Sequence, residues 1–415
     1  MPSSIGAIIE LLSRPGAGGY QAVVDLANGA PDAVVDLVLA GAEMPTSSDA
    51  VEAALELVDD SRLPDVAAAA VHALERGADP ENSQAALLIA DLSLQSPNSL
   101  AEHLEVLWDL SPNQRSYYAA WPWRAASDPA ALNKLVGSLG GVDQDVQRRA
   151  WSCLLESRTD AGWTEAIRAI GPIIADEWWS QDRLRLVGVE RSNGAVRRLF
   201  TPSPCHIEFP AGFLRPPTWG GVTGRIEYPT WHLATDEAGS GRFGGWADGQ
   251  CEVCEQRLHR LLSLRRRPDW LDMPSDVVTC MSCLGWSVEI LFFRHTDEAP
   301  TPAGRLVRTR EPEFPAEALP EADVRLRRTP DRWSLQDWAL SNGRQNLNRV
   351  GGEPTWIQGP DHPSCPECST TMSFVMQLDS LDVDGGPWWL WGSGGILYVF
   401  WCTECSISAT LWQCT

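Results

Sequence analysis

Along the first 180 residues, apolar positions recur at the three- and four-residue intervals of amphipathic helices, broken by Pro, Gly, Asn and Asp. The pattern predicts helices over Asp49–Val58, Leu63–Glu75, Ser83–Leu94, Leu100–Leu110, Ala130–Leu139, Val142–Leu155 and Trp163–Ile174. Beyond about residue 180 the period shortens. Gly, Pro, Trp and Thr become frequent, and short runs such as Trp286–Phe293 and Ile407–Trp412 read as strands.

Two helical segments look alike. Leu63-Pro64-Asp65-Val66 leads to Ala69, Ala70 and Leu74, and Asp143-Gln144-Asp145-Val146 leads to Arg148, Arg149, Ala150, Leu154 and Leu155. An Asp at the helix start, small Ala where paired helices approach and Leu in the seam resemble the second helix of a HEAT repeat. The expectation is an irregular HEAT-like α-solenoid over residues 1–180, with a plain helical bundle as the alternative.

The later part contains an internal duplication. Pro229-Thr230-Trp231 recurs as Pro354-Thr355-Trp356, and each copy continues into a Cys-x-x-Cys, Cys251/Cys254 and Cys365/Cys368. Seven residues past the first Cys an apolar run begins, Leu258, Leu261, Leu262 and Leu264 in one copy, Met372, Phe374, Val375, Met376 and Leu378 in the other. A second Cys-x-x-Cys follows in each, Cys280/Cys283 and Cys402/Cys405. The predicted organisation is therefore a helical domain, 1–180; a first β unit, 181–295; a connector, 296–331, with six Pro; and a second β unit, 332–415. The fold class is α+β multidomain, its second part a duplicated, mainly antiparallel β domain.

Two Cys-x-x-Cys turns joined by strands supply the four thiolates of a tetrahedral zinc site, and here the arrangement occurs twice. The expected ligands are Cys251, Cys254, Cys280 and Cys283 for one ion and Cys365, Cys368, Cys402 and Cys405 for another. Pairing between copies is an alternative, but pairing within each closes shorter loops. Redox dithiols and buried structural thiols are the other readings; redox motifs normally occur singly beside a βαβ pattern. Four thiolates leave no position for water or substrate, so two structural Zn2+ ions are expected. His362, just before Cys365, is a candidate replacement ligand. Cys153 reads as packing, and Cys205 and Cys414 have no such partners.

Charge narrows the partner. The chain of 415 residues has 33 cations and 55 anions, a formal charge of −22. Residues 1–180 hold 26 acids and 10 bases, or −16; the remaining residues hold 29 and 23, or −6. This disfavours nucleic acid and anionic membranes and favours a basic protein. The start has no secretory signal pattern, and the uncharged stretch Gly385–Thr403, with five Gly, reads as two strands around a turn rather than a membrane span. A cytoplasmic protein is expected. The histidines, His72, His103, His206, His232, His259, His295 and His362, form no metal or triad motif, so no enzyme is expected. Arg265–Arg267 and Arg325, Arg327 and Arg328 read as a solvated or internally paired face. Trp388, Trp389 and Trp391 fit either a sheet core or a partner hot spot.

Gly351-Gly352-Glu353-Pro354-Thr355-Trp356-Ile357-Gln358, Cys365-x-x-Cys368 and the segment Met372–Asp379 resemble the YwqG-like family of bacterial proteins. Trp391-Gly392-Ser393-Gly394-Gly395 is similar to that family's Trp-Gly-Asp-Gly-Gly, with Ser393 in the Asp position. The duplicated Cys-x-x-Cys arrangement is also similar to the programmed cell death 2 family of zinc-containing ribosomal-protein chaperones. The resemblance runs from about Val350 to Thr415 and implies a β-rich scaffold for protein contact. It further implies an immunity protein that binds and neutralises a basic toxin, or alternatively a chaperone or adaptor for a basic ribosomal protein; a zinc-dependent hydrolase is the second alternative.

Overall fold

The computed structural model describes all residues except 1–3, 14–17, 111–118, 125, 127, 216–227, 232–236, 297, 305–311, 313, 341–343 and 387. His232 lies outside the described residues. The chain divides into two compact units. One holds Met1–Val187 with Arg191–Val196 and the described part of Thr218–His232; the other holds Gly188–Glu190, Arg197–Pro217 and Leu233–Thr415.

The first unit contains eleven α-helices among the described residues. Asp49–Leu55, Leu63–Glu75, Gln84–Gln95, Pro129–Leu139, Gln144–Glu156 and Asp160–Ala169 occupy stretches where the periodicity placed helices. Ile5–Leu12, Gly18–Gly29, Val34–Gly41 and Glu177–Leu186 add to them. Asp143 caps its helix by accepting from the Asp145 and Val146 amides at 2.8 and 3.3 Å. Asp65 does not cap: Pro64 already occupies the first turn, and the Asp65 carboxylate instead pairs with Arg62 at 2.7 Å. Leu100–Leu110 is split into a 3-10 segment, Pro97–His103, and a helix, Leu104–Leu110. The helix expected to reach Ile174 stops at Ala169, because Gly171 at φ +94° and Pro172 cannot continue it.

The second unit is built on one twelve-stranded sheet. Its strands are β1 (Cys205–Glu208), β2 (Glu237–Phe243), β3 (Trp246–Gln250), β4 (Arg257–Arg266), β5 (Asp276–Thr279), β6 (Leu291–Arg294), β7 (Thr301–Pro302), β8 (Ala322–Arg328), β9 (Arg349–Val350), β10 (Ser373–Asp379), β11 (Ile396–Cys402) and β12 (Ile407–Gln413). The hydrogen-bonded order is β3-β4-β2-β8-β1-β9-β10-β11-β12-β6-β7, with β5 also on β4, and the ladders are antiparallel. The sheet curls until Thr279 Oγ1 on β5 lies 2.8 Å from Thr410 Oγ1 on β12. β11 is buried along its whole length, as its uninterrupted apolar sequence dictates.

Two sequence expectations need correction. The stretch 296–331 is not a plain connector, since β8 lies within it and pairs with both β1 and β2. Ala-Asp-Val-Arg-Leu-Arg-Arg alternates buried Ala322, Val324 and Leu326 with outward charges, and Arg265–Asp323 and Arg327–Glu208 pair across strands. The strand expected over Trp286–Phe293 begins at Leu291, because Cys283 to Val288 are taken up by tight turns, among them Trp286 N–H to Cys283 O at 3.1 Å.

Gly285 marks one of those turns. Its φ is +75°, and a Cβ there would stand 2.2 Å from the Trp412 ring. Gly285→Ala should therefore lower the stability of this unit by roughly 2–4 kcal/mol in a denaturant titration, from left-handed strain plus overpacking. Gly359→Ala, at φ +114° with nothing within 4 Å of the added atom, should show the conformational part alone.

Candidate metal centres

The eight cysteines gather four and four, within each copy and not between copies. Cys251, Cys254, Cys280 and Cys283 form one group; Cys365, Cys368, Cys402 and Cys405 form the other, and in each the sulfurs lie within 4.8 Å of one another. Individual Sγ–Sγ separations are 3.9 Å for Cys251–Cys283, 3.6 Å for Cys254–Cys280 and 3.6 Å for Cys368–Cys402. A tetrahedral ion with metal–sulfur bonds of about 2.3 Å requires sulfur–sulfur edges of about 3.8 Å. A disulfide requires about 2.05 Å. The spacing fits a metal tetrathiolate.

The same local architecture produces both groups. The amide of Glu255 donates to Cys251 O at 2.8 Å and that of Cys251 to Gln256 O at 2.9 Å; Ser369 donates to Cys365 O at 3.0 Å and Cys365 to Thr370 O at 2.9 Å. Each first knuckle turns through a left-handed residue directly after its second Cys, Glu255 and Ser369, both at φ 60°. Ser406, at φ 53°, repeats this after Cys405. The strand leaving each first knuckle then pairs with the strand entering the second in one register: His259 opposite Thr279, Ser373 opposite Trp401. Finally β6 and β12, which follow the second knuckles of the two copies, pair antiparallel with Leu291 opposite Thr410. The duplication read from the cysteines is thus a duplication of backbone geometry.

The surroundings differ. All four sulfurs of the first group belong to buried residues, whereas Cys368 is exposed and Cys405 half-buried. His259, wholly buried, accepts from the Met281 amide through Nδ1 at 3.2 Å and donates from Nε2 to Ala316 O at 3.2 Å, locking a second knuckle of the first group. Burial lowers its pKa, so it acts as a neutral strut. In the second group Arg294 Nη1 donates to Cys405 O at 3.1 Å and pairs with Glu367, while Asp272 accepts from Thr403 Oγ1 at 2.5 Å and Trp401 Nε1 at 3.3 Å.

His362 is not among the ligating groups. Its Nδ1 faces Met372 O at 3.2 Å and its ring packs on Trp356 and Phe400 at 5.3 and 5.4 Å. Cys153 and Cys205 are buried single thiols whose pKa burial raises, to about 12 for Cys205. The tryptophan cluster divides: Trp391 is buried and donates from Nε1 to Asp379 O at 3.1 Å, while Trp388 is 58% exposed. A His–Ser contact absent from any sequence motif occurs just outside the second group, between His295, one residue past β6, and Ser408 on β12, Nε2 to Oγ at 2.8 Å. Ser408 is fully buried, so its hydroxyl is a packing partner and not a nucleophile within reach of substrate.

No family model and no solved structure matches the chain. A stretch of 69 residues is 38% identical to the uncharacterized protein YpfL of Salmonella typhimurium (strain LT2), which covers 17% of this chain and 15% of that protein. The chain thus matches well under two thirds of that relative's length. No helix among the described residues is long and apolar enough to cross a membrane.

Proposed function

We propose that this chain is a non-catalytic binding protein in which two structural zinc ions brace a β scaffold and an acidic HEAT-like array of helices grips a basic protein. The observation that carries this reading is the closure of each group by four cysteines, which fills a tetrahedral sphere and leaves no ligand position for water or substrate. Zinc suits an all-thiolate, tetrahedral donor set. The helical unit supplies the complementary charge, with Asp32, Asp36, Glu102, Asp109 and Asp145 among its exposed carboxylates. With the YwqG-like resemblance of Val350–Thr415, the specific partner class is a basic toxin, which this chain neutralises by covering its active surface in the cytoplasm.

The test has two parts. Elemental analysis of the purified chain should find two zinc ions per molecule; none would remove the scaffold half of the reading. Co-expression with a toxin encoded beside it should restore growth, and the measured affinity should fall by about tenfold or more between low and high salt as charge steering is screened. Copurification of a ribosomal protein instead would favour the chaperone reading, and turnover of a hydrolysable substrate would overturn both.

A further inference from the structure

The two sulfur groups share one backbone plan but not one exposure, and this assigns them different chemistry. In the first group Cys251 and Cys254 are 1% exposed and Cys280 and Cys283 fully buried. In the second, Cys365 is 2% and Cys402 6% exposed, but Cys368 stands in solvent and Cys405 is half-buried. A hydroperoxide must touch a sulfur to oxidise it, and Cys368 offers one on the outside of its group. The partner sulfur is already in place, since Cys402 Sγ lies 3.6 Å from Cys368 Sγ.

We infer that Cys368 and Cys402 form a peroxide-reactive pair whose oxidation expels the second metal while the first stays bound. The inference rests on the metal reading above. In the first step the Cys368 sulfur attacks the terminal peroxide oxygen; the S–O bond forms, the O–O bond breaks and hydroxide leaves, taking a proton to become water. Next the Cys402 thiolate attacks the Cys368 sulfur, the S–S bond forms, and the S–O bond breaks to release a second hydroxide, which is protonated in turn. Two thiolates have lost two electrons and the peroxide has gained them. The ion keeps only Cys365 and Cys405, half its ligand set, and dissociates.

The neighbourhood makes the change reversible. Both knuckles of the second group are held from the first copy, by Arg294 on Cys405 O and Glu367 and by Asp272 on Thr403 and Trp401. Those contacts involve no sulfur and survive its oxidation, so the knuckles stay positioned for a thiol reductant and fresh metal.

The experiment uses the full chain with its zinc counted beforehand, treated with hydrogen peroxide beside a chromophoric zinc indicator, with thiols mapped by alkylation and peptide mass. One zinc should appear for each peroxide consumed, at least about tenfold faster than the second ion. Cys368 should be found disulfide-bonded, and Cys251, Cys254, Cys280 and Cys283 should remain protected. Thiol reductant with added zinc should restore two ions per chain. Cys368→Ser should abolish the fast phase and Cys414→Ser should leave it intact. Loss of both ions in parallel, earlier oxidation of the first group, or oxidation that leaves both ions bound would overturn the inference. Fewer than two zinc ions before treatment would refute the metal reading itself and remove this inference with it, a failure visible before any peroxide is added.

Discussion

Cys280→Ser is expected to unfold the sheet-bearing unit outright. Cys280 is fully buried, follows β5 directly and shares its knuckle turn with Cys283, whose amide donates to Cys280 O at 3.1 Å. On the proposed zinc reading, losing one of four thiolates removes most of the ion's contribution, about 10 kcal/mol or more in small zinc modules, against a whole-domain stability of about 5–15 kcal/mol. It also leaves a hydroxyl in a closed site with three sulfurs. Circular dichroism and a thermal melt should show the β signal lost while the helical unit keeps a separate transition. A chelator strong enough to strip both ions should reproduce the result in the unaltered chain. Full retention of β signal and melting temperature in Cys280→Ser would exclude a structural ion at that group. Cys368→Ser, at an exposed position, should cost less and leave the first group loaded.

The second large effect is expected in the helical unit. Glu156 is buried at the end of the Gln144–Glu156 helix and accepts from Arg124 at 2.9 Å and lies 3.2 Å from Arg158, with all three side chains nearly enclosed. Burial alone would raise its pKa, but the two guanidiniums override that and hold it below the usual carboxylate range. Glu156→Ala strands two enclosed cations and should cost about 3–5 kcal/mol, read from the helical transition in urea. A carboxylate whose pKa is lower folded than unfolded contributes stability that is complete above its unfolded value, near 4.5, and is lost as pH falls through the folded value. The unaltered unit should therefore weaken below about pH 4.5 more steeply than Glu156→Gln does. If the two acid profiles coincide, the buried pair is not what acid attacks.

How much of this was legible in the sequence follows from the range of the interactions involved. Helices such as Leu63–Glu75 are set by local periodicity and were readable to the residue. The cysteine groupings were readable because a Cys-x-x-Cys turn is local and its duplication supplies the count. β8 was hidden because Arg325 and Arg327 occupy the outward half of its alternation and Pro flanks the segment, so that its inward Val324 and Leu326 do not stand out. The role of His259 was beyond reach, because it depends on Met281 and Ala316 arriving from later in the chain. The unequal exposure of two groups with the same motif was likewise invisible; spacing fixes which sulfurs meet, while the layers packed over them decide which meet water.

The pairing of β6 with β12 has a consequence for the order of assembly. The two copies meet at two seams, β1 against β9 and β6 against β12, and β12 lies between β11 and β6. During synthesis the first copy can gather its cysteines early, yet one flank of β6 stays open until Ile407–Thr410 have been made. Contacts this distant along the chain form late, and an unsatisfied strand flank in the interval invites pairing with a neighbouring nascent chain. Slow elongation or interruption beyond the first copy should thus favour intermolecular aggregation over a stable half-molecule.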